Sequence, residues 1–187
     1  METLFENRYV RTKEHIKEMY RYILFVGSGA IMSHILTLIL IAINVALIVM
    51  DKSMSSFSYI VLFAIVSFPL MRVINYFRAV NFTVNKDLEL NNGGQAYISL
   101  DVREDIFTFS STSGSRSDVS YMELRAAKQT KNLILLSTDT NICYVFPKDS
   151  FTKGSATGFK EFLKSKVPLA ILSRNVKFRI LSLSNGN

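Results

Sequence analysis

The residues that could do chemistry in this 187-residue chain are few and poorly spaced for it. Its one cysteine, Cys143, sits between Ile142 and Tyr144 in an apolar stretch. Burial there raises a thiol pKa and leaves the group unreactive, so Cys143 reads as packing. His15 and His34 are single histidines without a carboxylate or cysteine at metal-ligand spacing. Asp101, Glu104 and Asp105 cluster beside a turn, but a calcium loop needs several oxygens at set spacing and a bend-permitting glycine, so they read as a solvated turn. There is no Gly-rich phosphate loop followed by lysine, no Ser-His-Asp arrangement in a recognisable context and no paired Cys or His. The pattern predicts a non-enzymatic protein with no catalytic residue, cofactor or metal. What remains suits contact. Lys148, Lys153 and Lys160 surround the turn at Pro147 and could meet an anionic headgroup or a protein segment, although lysines so placed also serve as a solubilising rim. His34 and Asn44 lie inside an apolar run, where polar side chains hydrogen-bond between helices.

The elements that must position these residues begin with two apolar runs, Tyr22 to Met50 and Phe57 to Met71, divided by Asp51-Lys52-Ser53-Met54-Ser55-Ser56. About twenty apolar residues cross a hydrocarbon core, and the first run exceeds that without one Lys, Arg, Asp or Glu. The second reaches the length if it extends to Phe77, with the long stem of Arg72 carrying its charge toward the headgroups. A signal peptide would need a short apolar core and a small-residue cleavage site, which are missing around Met50. A soluble helical hairpin would show a polar face, yet Ile35 to Ile43 is apolar on all sides. Gly27, Ser28, Gly29, Ser33 and Thr37 are of the kind that let helices approach closely in lipid. A transmembrane hairpin is therefore expected.

Charge sets the expected orientation. Arg8, Arg11, Lys13, Lys17 and Arg21 precede the first span, and Arg72, Arg78 and Lys86 follow the core of the second, whereas the connecting loop holds Lys52 alone beside Asp51. The positive-inside rule then puts both ends in the cytoplasm. The net charge of +7 is explained by attraction to anionic lipid, since these cations flank apolar spans rather than forming an aromatic-interleaved basic stripe for nucleic acid. One cysteine provides no disulfide framework, and a bacterial inner membrane is the expected home. Ahead of the first span, Leu4, Phe5, Tyr9 and Val10 can be extended. Thr12 can cap a helix from Lys13, whose Ile16, Met19, Tyr20 and Ile23 form one stripe along the interface or against the soluble domain.

Beyond Phe77 the apolar runs shorten, and Asn91-Asn92-Gly93-Gly94 marks a turn before a soluble domain. Ala96 to Val102 and Ile106 to Ser110 alternate as strands around Arg103-Glu104-Asp105. Ser111 to Asp118 reads as a polar loop. Val119 with Tyr121 and Met122, then Leu133 to Ser137, then Ile142 to Phe146 read as three more strands. Ser155 or Thr157 caps a closing helix with Phe159, Phe162, Leu163 and Val167 on its apolar stripe, and Val176, Phe178 and Ile180 alternate as one extra strand. The predicted class is α+β: a helical hairpin, then a small antiparallel β domain forming a curved sheet or open barrel, closed by a C-terminal amphipathic helix. The segments are 1–21, an N-terminal amphipathic piece; 22–77, the hairpin; 78–95, a linker; and 96–187, the β domain.

The run Asn141-Ile142-Cys143-Tyr144-Val145-Phe146-Pro147-Lys148-Asp149-Ser150-Phe151, followed by Gly158-Phe159-Lys160-Glu161-Phe162-Leu163, resembles the C-terminal domain of the YcxB-like proteins of bacteria. In that family a strand, a Pro-Lys, a Phe and a helix with inward Phe and Leu follow one another. Lys131 to Leu136 resembles its penultimate strand, and Tyr121 stands where the family often has a tryptophan. The resemblance implies a domain similar to bacterial pleckstrin-homology-like modules, which bind lipids, peptides or proteins. Some similar membrane-anchored proteins protect producing cells against bacteriocins. Two functions follow as expectations. In the first, the β domain is a cytosolic binding or regulatory module for a protein or lipid partner. In the second, a membrane immunity or stress protein acts through its helices against membrane-active peptides, with His34 and Asn44 central. The expected partners are membrane lipids and a further membrane or cytosolic protein, not nucleic acid. Oligomeric state is not readable in the residues.

Overall fold

The computed structural model describes residues 2–51, 56–140 and 142–167. The extra strand expected at Val176, Phe178 and Ile180 lies outside them, as do Lys52 to Ser55 between the two apolar runs. In chain order the elements are β1 (Phe5–Val10), α1 (Lys13–Arg21), a π-helical turn (Tyr22–Val26), α2 (Ser28–Asp51), α3 (Ser56–Leu90), β2 (Tyr97–Val102), β3 (Ile106–Ser111), β4 (Arg116–Ser120), a 3-10 turn (Tyr121–Glu123), β5 (Leu124–Gln129), β6 (Leu133–Thr138), β7 (Cys143–Pro147), β8 (Phe151–Lys153) and α4 (Ala156–Lys166). The class is α+β, with apolar helices toward the N-terminus, then antiparallel sheets and a C-terminal helix. The chain forms two compact units. Among the described residues, one joins 2–15 with those from Lys86 to Val167, and the other lies within Ile16–Asn85.

The β unit holds a five-stranded sheet in the order β4-β3-β2-β1-β8 and a three-stranded sheet in the order β5-β6-β7. Strands β2 to β4 are a meander of consecutive hairpins. β1, separated from them by the whole helical segment, pairs antiparallel with β2 from Phe5 opposite Val102 to Val10 opposite Tyr97. Its other edge pairs with β8, with a register shift between Glu6 and Asn7. The alternation expected of β2 is present, with Ile98, Leu100 and Val102 buried. Helix α4 starts where the Ser155 hydroxyl accepts the Gly158 amide at 3.1 Å, and buries Phe159 and Leu163. Ile98, Leu100 and Phe107 from the five-stranded sheet, Tyr121 from the 3-10 turn, Leu136 and Phe146 from the three-stranded sheet, and Phe159 and Leu163 from α4 share one core. Burying each such large side chain stabilises by roughly 1.5–3 kcal/mol.

Several boundaries differ from those the sequence predicts. The N-terminal segment 1–21 is divided: β1 is an interior strand of the sheet rather than part of a separate piece, and α1 follows from Thr12, whose Oγ1 accepts the His15 amide at 3.3 Å. The linker 78–95 is mostly helix, because α3 runs on to Leu90 before the Asn-Asn-Gly-Gly turn ends it. Asn92 and Gly93 have φ of 51° and 81°, and the Gly93 amide closes on the Leu88 carbonyl at 2.7 Å, the left-handed stop that glycine and asparagine favour. The loop assigned to Ser111–Asp118 contains the start of β4, Tyr121 and Met122 lie in a 3-10 turn rather than a strand, and β5 and β8 went unpredicted. Arg125, Lys128 and Gln129 give β5 a polar look, and β8 has only three residues, so neither shows an apolar alternation to read.

In the helical unit, α2 and α3 are long and apolar enough to cross a membrane over Ala30–Val49 and Ser58–Leu90, with mean hydropathies of 2.4 and 1.9. Only 6% and 0% of the corresponding windows are buried within the chain, unlike the core helices of a soluble protein. The 35 residues of α3 extend about 52 Å at 1.5 Å per residue, well beyond a hydrocarbon core of about 30 Å. The Asn44 amide, itself buried, donates to the Ser58 carbonyl at 3.1 Å and ties the two helices near their loop ends.

Candidate functional site

The predicted lysine surface divides once its elements are placed. β7 ends at Pro147, and the chain turns through Lys148, Asp149 and Ser150 into β8. Lys148 is turned inward on this corner. Its Nζ donates to the carbonyls of Thr130 and Lys131 at 2.6 and 2.8 Å, and its amide donates to the Asn132 carbonyl at 2.9 Å. The side chain thus supplies a charged donor to the carbonyls of the β5–β6 turn, which gives the Pro-Lys pair a structural reason. Lys153, on β8, donates to the Glu2 carboxylate at 3.4 Å and to the Thr3 carbonyl, holding the N-terminal residues beside β8. Lys160 is exposed on α4. Of the three, Lys148 is spent on the fold, Lys153 is shared with it and Lys160 faces solvent.

The same corner seats β1. The fully buried Asn7 side chain donates from Nδ2 to the Pro147 carbonyl at 2.8 Å, and the Arg8 amide donates to the Ser150 carbonyl at 3.0 Å. Gly154, with φ of 78°, lets the Phe5 ring lie against the backbone, where a Cβ would come within 2.3 Å of it. Phe5 then packs on Phe159 and Phe162, at centroid distances of 5.7 and 5.6 Å. At the other end of β1, the Arg11 guanidinium grips the Asp87 carboxylate with two donors, Nε to Oδ2 at 2.7 Å and Nη2 to Oδ1. The Arg11 amide donates to the Ala96 carbonyl at 2.8 Å. This bidentate pair holds the exit of β1 to the last turns of α3. Sequence reading missed it because Arg11 and Asp87 lie far apart in the chain, with nothing local to link them.

Tyr9 is buried near Arg11, and desolvation pushes its phenol well above the ordinary range. Tyr121 is raised too, first by burial and then by the Asp105 charge, and its hydroxyl donates toward the carbonyls of Arg103 and Ile106 at 3.0 and 3.3 Å. The Cys143 thiol is pushed up to about 11 by burial, partly offset by a hydrogen bond with Ser137. These are packing groups held neutral, not activated ones. Glu104 and Asp105 of the acidic turn face Lys166 at 3.5 and 3.7 Å. Among the described residues no group of three or more His, Cys, Asp or Glu could hold a metal ion.

Two large apolar side chains break the polar surface at one end of the three-stranded sheet. Met122 is 77% exposed and Ile142 51%. The Asp139 amide donates to the Glu123 carbonyl at 3.2 Å, and the Thr138 amide to the Ile142 carbonyl at 3.0 Å, so both residues border the same turn. In the helical unit, Asn44 makes its interhelical bond while His34 is exposed on α2, and the structure does not bring the two together.

Comparison with known proteins adds one finding. Residues 102–163 match the family described as YcxB-like protein. No curated protein and no solved structure matches the chain. The matched segment runs from the last residue of β2 into α4 and leaves out β1, although β1 lies between β2 and β8 in the sheet. The chain therefore carries a YcxB-like domain at residues 102–163, preceded by two apolar helices and completed by a strand from the far side of them.

Proposed function

We propose that this protein is a membrane-tethered, non-enzymatic recognition module, in which an inserted helical hairpin anchors a β unit that meets a protein partner in the cytosol. The observation that carries the reading is the place of insertion. The helices leave the sheet after Val10 and return before Tyr97, and these two residues face each other across adjacent strands. An anchor that leaves and re-enters between neighbouring strands begins and ends on one side of a membrane, and the cations from Arg8 to Arg21 and at Arg78 and Lys86 favour the cytoplasmic side. A bacterial cell membrane with both termini inside is the setting this reading requires.

Tethering such a module to the bilayer raises its effective concentration near membrane-bound partners. Within the β unit, Met122 and Ile142 offer the apolar centre of a contact, and Lys153 and Lys160 contribute positive charge elsewhere on the surface. The test is purification of the tagged full-length chain from its own cells in mild detergent, beside a Met122→Glu/Ile142→Glu variant and a Lys153→Glu/Lys160→Glu variant. A protein retained by the wild type and lost from the first variant, with thermal unfolding unchanged, supports the reading. Identical partners for all three chains refute these surfaces. If a His34→Ala/Asn44→Ala variant alone lost protection against pore-forming peptides, the function would move to the helices as an immunity role.

A further inference from the structure

The helical unit contains a cleft of about 400 Å³ lined by Leu24, Ser33, Ser67, Phe68, Met71, Arg72 and Asn75. Its chemistry is divided. Leu24, Phe68 and Met71 form an apolar wall, whereas the Arg72 guanidinium, the Asn75 amide and the Ser33 hydroxyl bring hydrogen-bond donors into the same space, and the Ser67 hydroxyl donates back to the Ala64 carbonyl at 3.2 Å. Arg72 is partly buried and makes no ion pair or hydrogen bond among the described residues. Pro69, one turn away, has no N–H for the carbonyl of Ile65, and Leu24 belongs to the π-helical turn. A Cβ on Gly27 would meet the Ile23 carbonyl at 3.1 Å, so the chain is also tight where this turn hands over to α2.

The depth of the cleft follows from helix geometry. Ser33 stands 18 residues from Asp51 along α2, about 27 Å at 1.5 Å per residue, and Arg72 stands 16 residues from Ser56 along α3, about 24 Å. Measured from the loop end, both fall toward the far boundary of a hydrocarbon core of about 30 Å. Aromatic rings mark the same level. Tyr76 packs edge-on against Phe25 at 5.8 Å and Phe77 at 5.2 Å, within a turn of Asn75, in keeping with an aromatic belt at the headgroups.

We infer that this cleft binds one anionic phospholipid of the cytoplasmic leaflet, its phosphodiester on Arg72 with Ser33 and Asn75, its upper acyl chain against Leu24, Phe68 and Met71. The inference rests on the membrane reading above and adds a lipid site to it. Charge selects the occupant: a lone guanidinium at the edge of hydrocarbon is stabilised by a phosphate, and donors beside it complete the phosphate's oxygens. A basic pocket between membrane helices on the cytoplasmic side is a recurrent way to hold an anionic headgroup.

The test uses the full-length protein, first washed in its native membranes with alkaline carbonate, then purified in mild detergent. Native mass spectrometry titrates it with phosphatidylglycerol, phosphatidylcholine and inorganic phosphate. The expected result is retention after the wash and one phosphatidylglycerol held at least about fivefold more tightly than phosphatidylcholine. Arg72→Gln should erase that preference, Arg72→Lys should keep part of it, and Ser67→Leu should lower binding of both lipids by filling the cleft. Release by carbonate overturns the membrane reading and the site with it. Retention without lipid preference, or a preference unchanged in both Arg72→Gln and Ser67→Leu, overturns the site alone. Displacement of the lipid by millimolar inorganic phosphate would make it a phosphate site and overturn the lipid assignment.

Discussion

Replacing Gly154 by alanine should loosen β1 from the domain it completes. Gly154 has φ of 78°, and a Cβ there would lie 2.3 Å from Cδ1 and 2.9 Å from Cε1 of Phe5, so the ring must move. The left-handed backbone costs an L side chain about 1–2 kcal/mol. Displacing Phe5 also weakens its ring contacts with Phe159 and Phe162, each worth about 0.5–1.5 kcal/mol. The total is about 2–4 kcal/mol, and with a urea dependence near 2 kcal/mol per molar the unfolding midpoint should fall by about 1–2 M. The chain has one cysteine, and Cys143 is partly buried in β7, so maleimide labelling of detergent-solubilised protein against urea reports opening of the β unit. Phe5→Ala in the Gly154→Ala background removes the clash while the backbone cost remains. The two changes should therefore be less than additive by about 1 kcal/mol or more. A midpoint shift under about 0.5 M, or strict additivity, would show that Phe5 is not seated against Gly154 and refute the docking of β1 described above.

Three further outcomes follow. Asp87→Asn should destabilise the β unit by about 1–3 kcal/mol by leaving the part-buried Arg11 guanidinium short of its partner. The double Arg11→Met/Asp87→Leu variant should lose less, and equal losses in the urea titration would mean the pair is not coupled. The Cys143 thiol has its pKa raised from about 9 to about 11, so its neutral form is favoured in the fold. That contribution is whole below pH 9 and lost as pH rises through about 11, on the order of 2 kcal/mol. Cys143→Ala should therefore flatten part of the alkaline decline in thermal stability, and parallel declines in the two proteins would contradict the burial argument. Finally, a fragment limited to residues 96–167 should fail to fold, whereas the same fragment with residues 2–15 joined ahead of it by a flexible linker should recover cooperative unfolding by circular dichroism. β1 contributes two pairing edges and the Asn7 bond to the Pro147 carbonyl, which the shorter fragment lacks.

Local chemistry made part of this protein legible in advance. Unbroken apolar runs longer than a bilayer needs, Ser155 ahead of a 3.6-residue stripe, and the two-residue alternation of Ile98, Leu100 and Val102 each state their structure within a dozen residues. The candidate sites were less legible. Lys148 looked like surface charge because nothing nearby in sequence names Thr130 and Lys131 as its acceptors. β5 was hidden by its charges, and the cleft at Arg72 exists only where α2, α3 and the π-helical turn meet.

By itself the sequence determined the class of each long element, the likeness to the YcxB-like family and the lack of a recognisable catalytic motif, because helix period, strand alternation and motif spacing are local properties of the chain. Only the tertiary structure decided that Phe5–Val10 is an interior strand, that the helices are an insertion between β1 and β2, and which lysines remain on the surface. Strand pairing depends on backbone groups every residue carries, so a short strand does not encode which distant strand it will join. That choice is made when the Phe5, Asn7 and Tyr9 side chains find the core, the Pro147 carbonyl and the edge of β2 together.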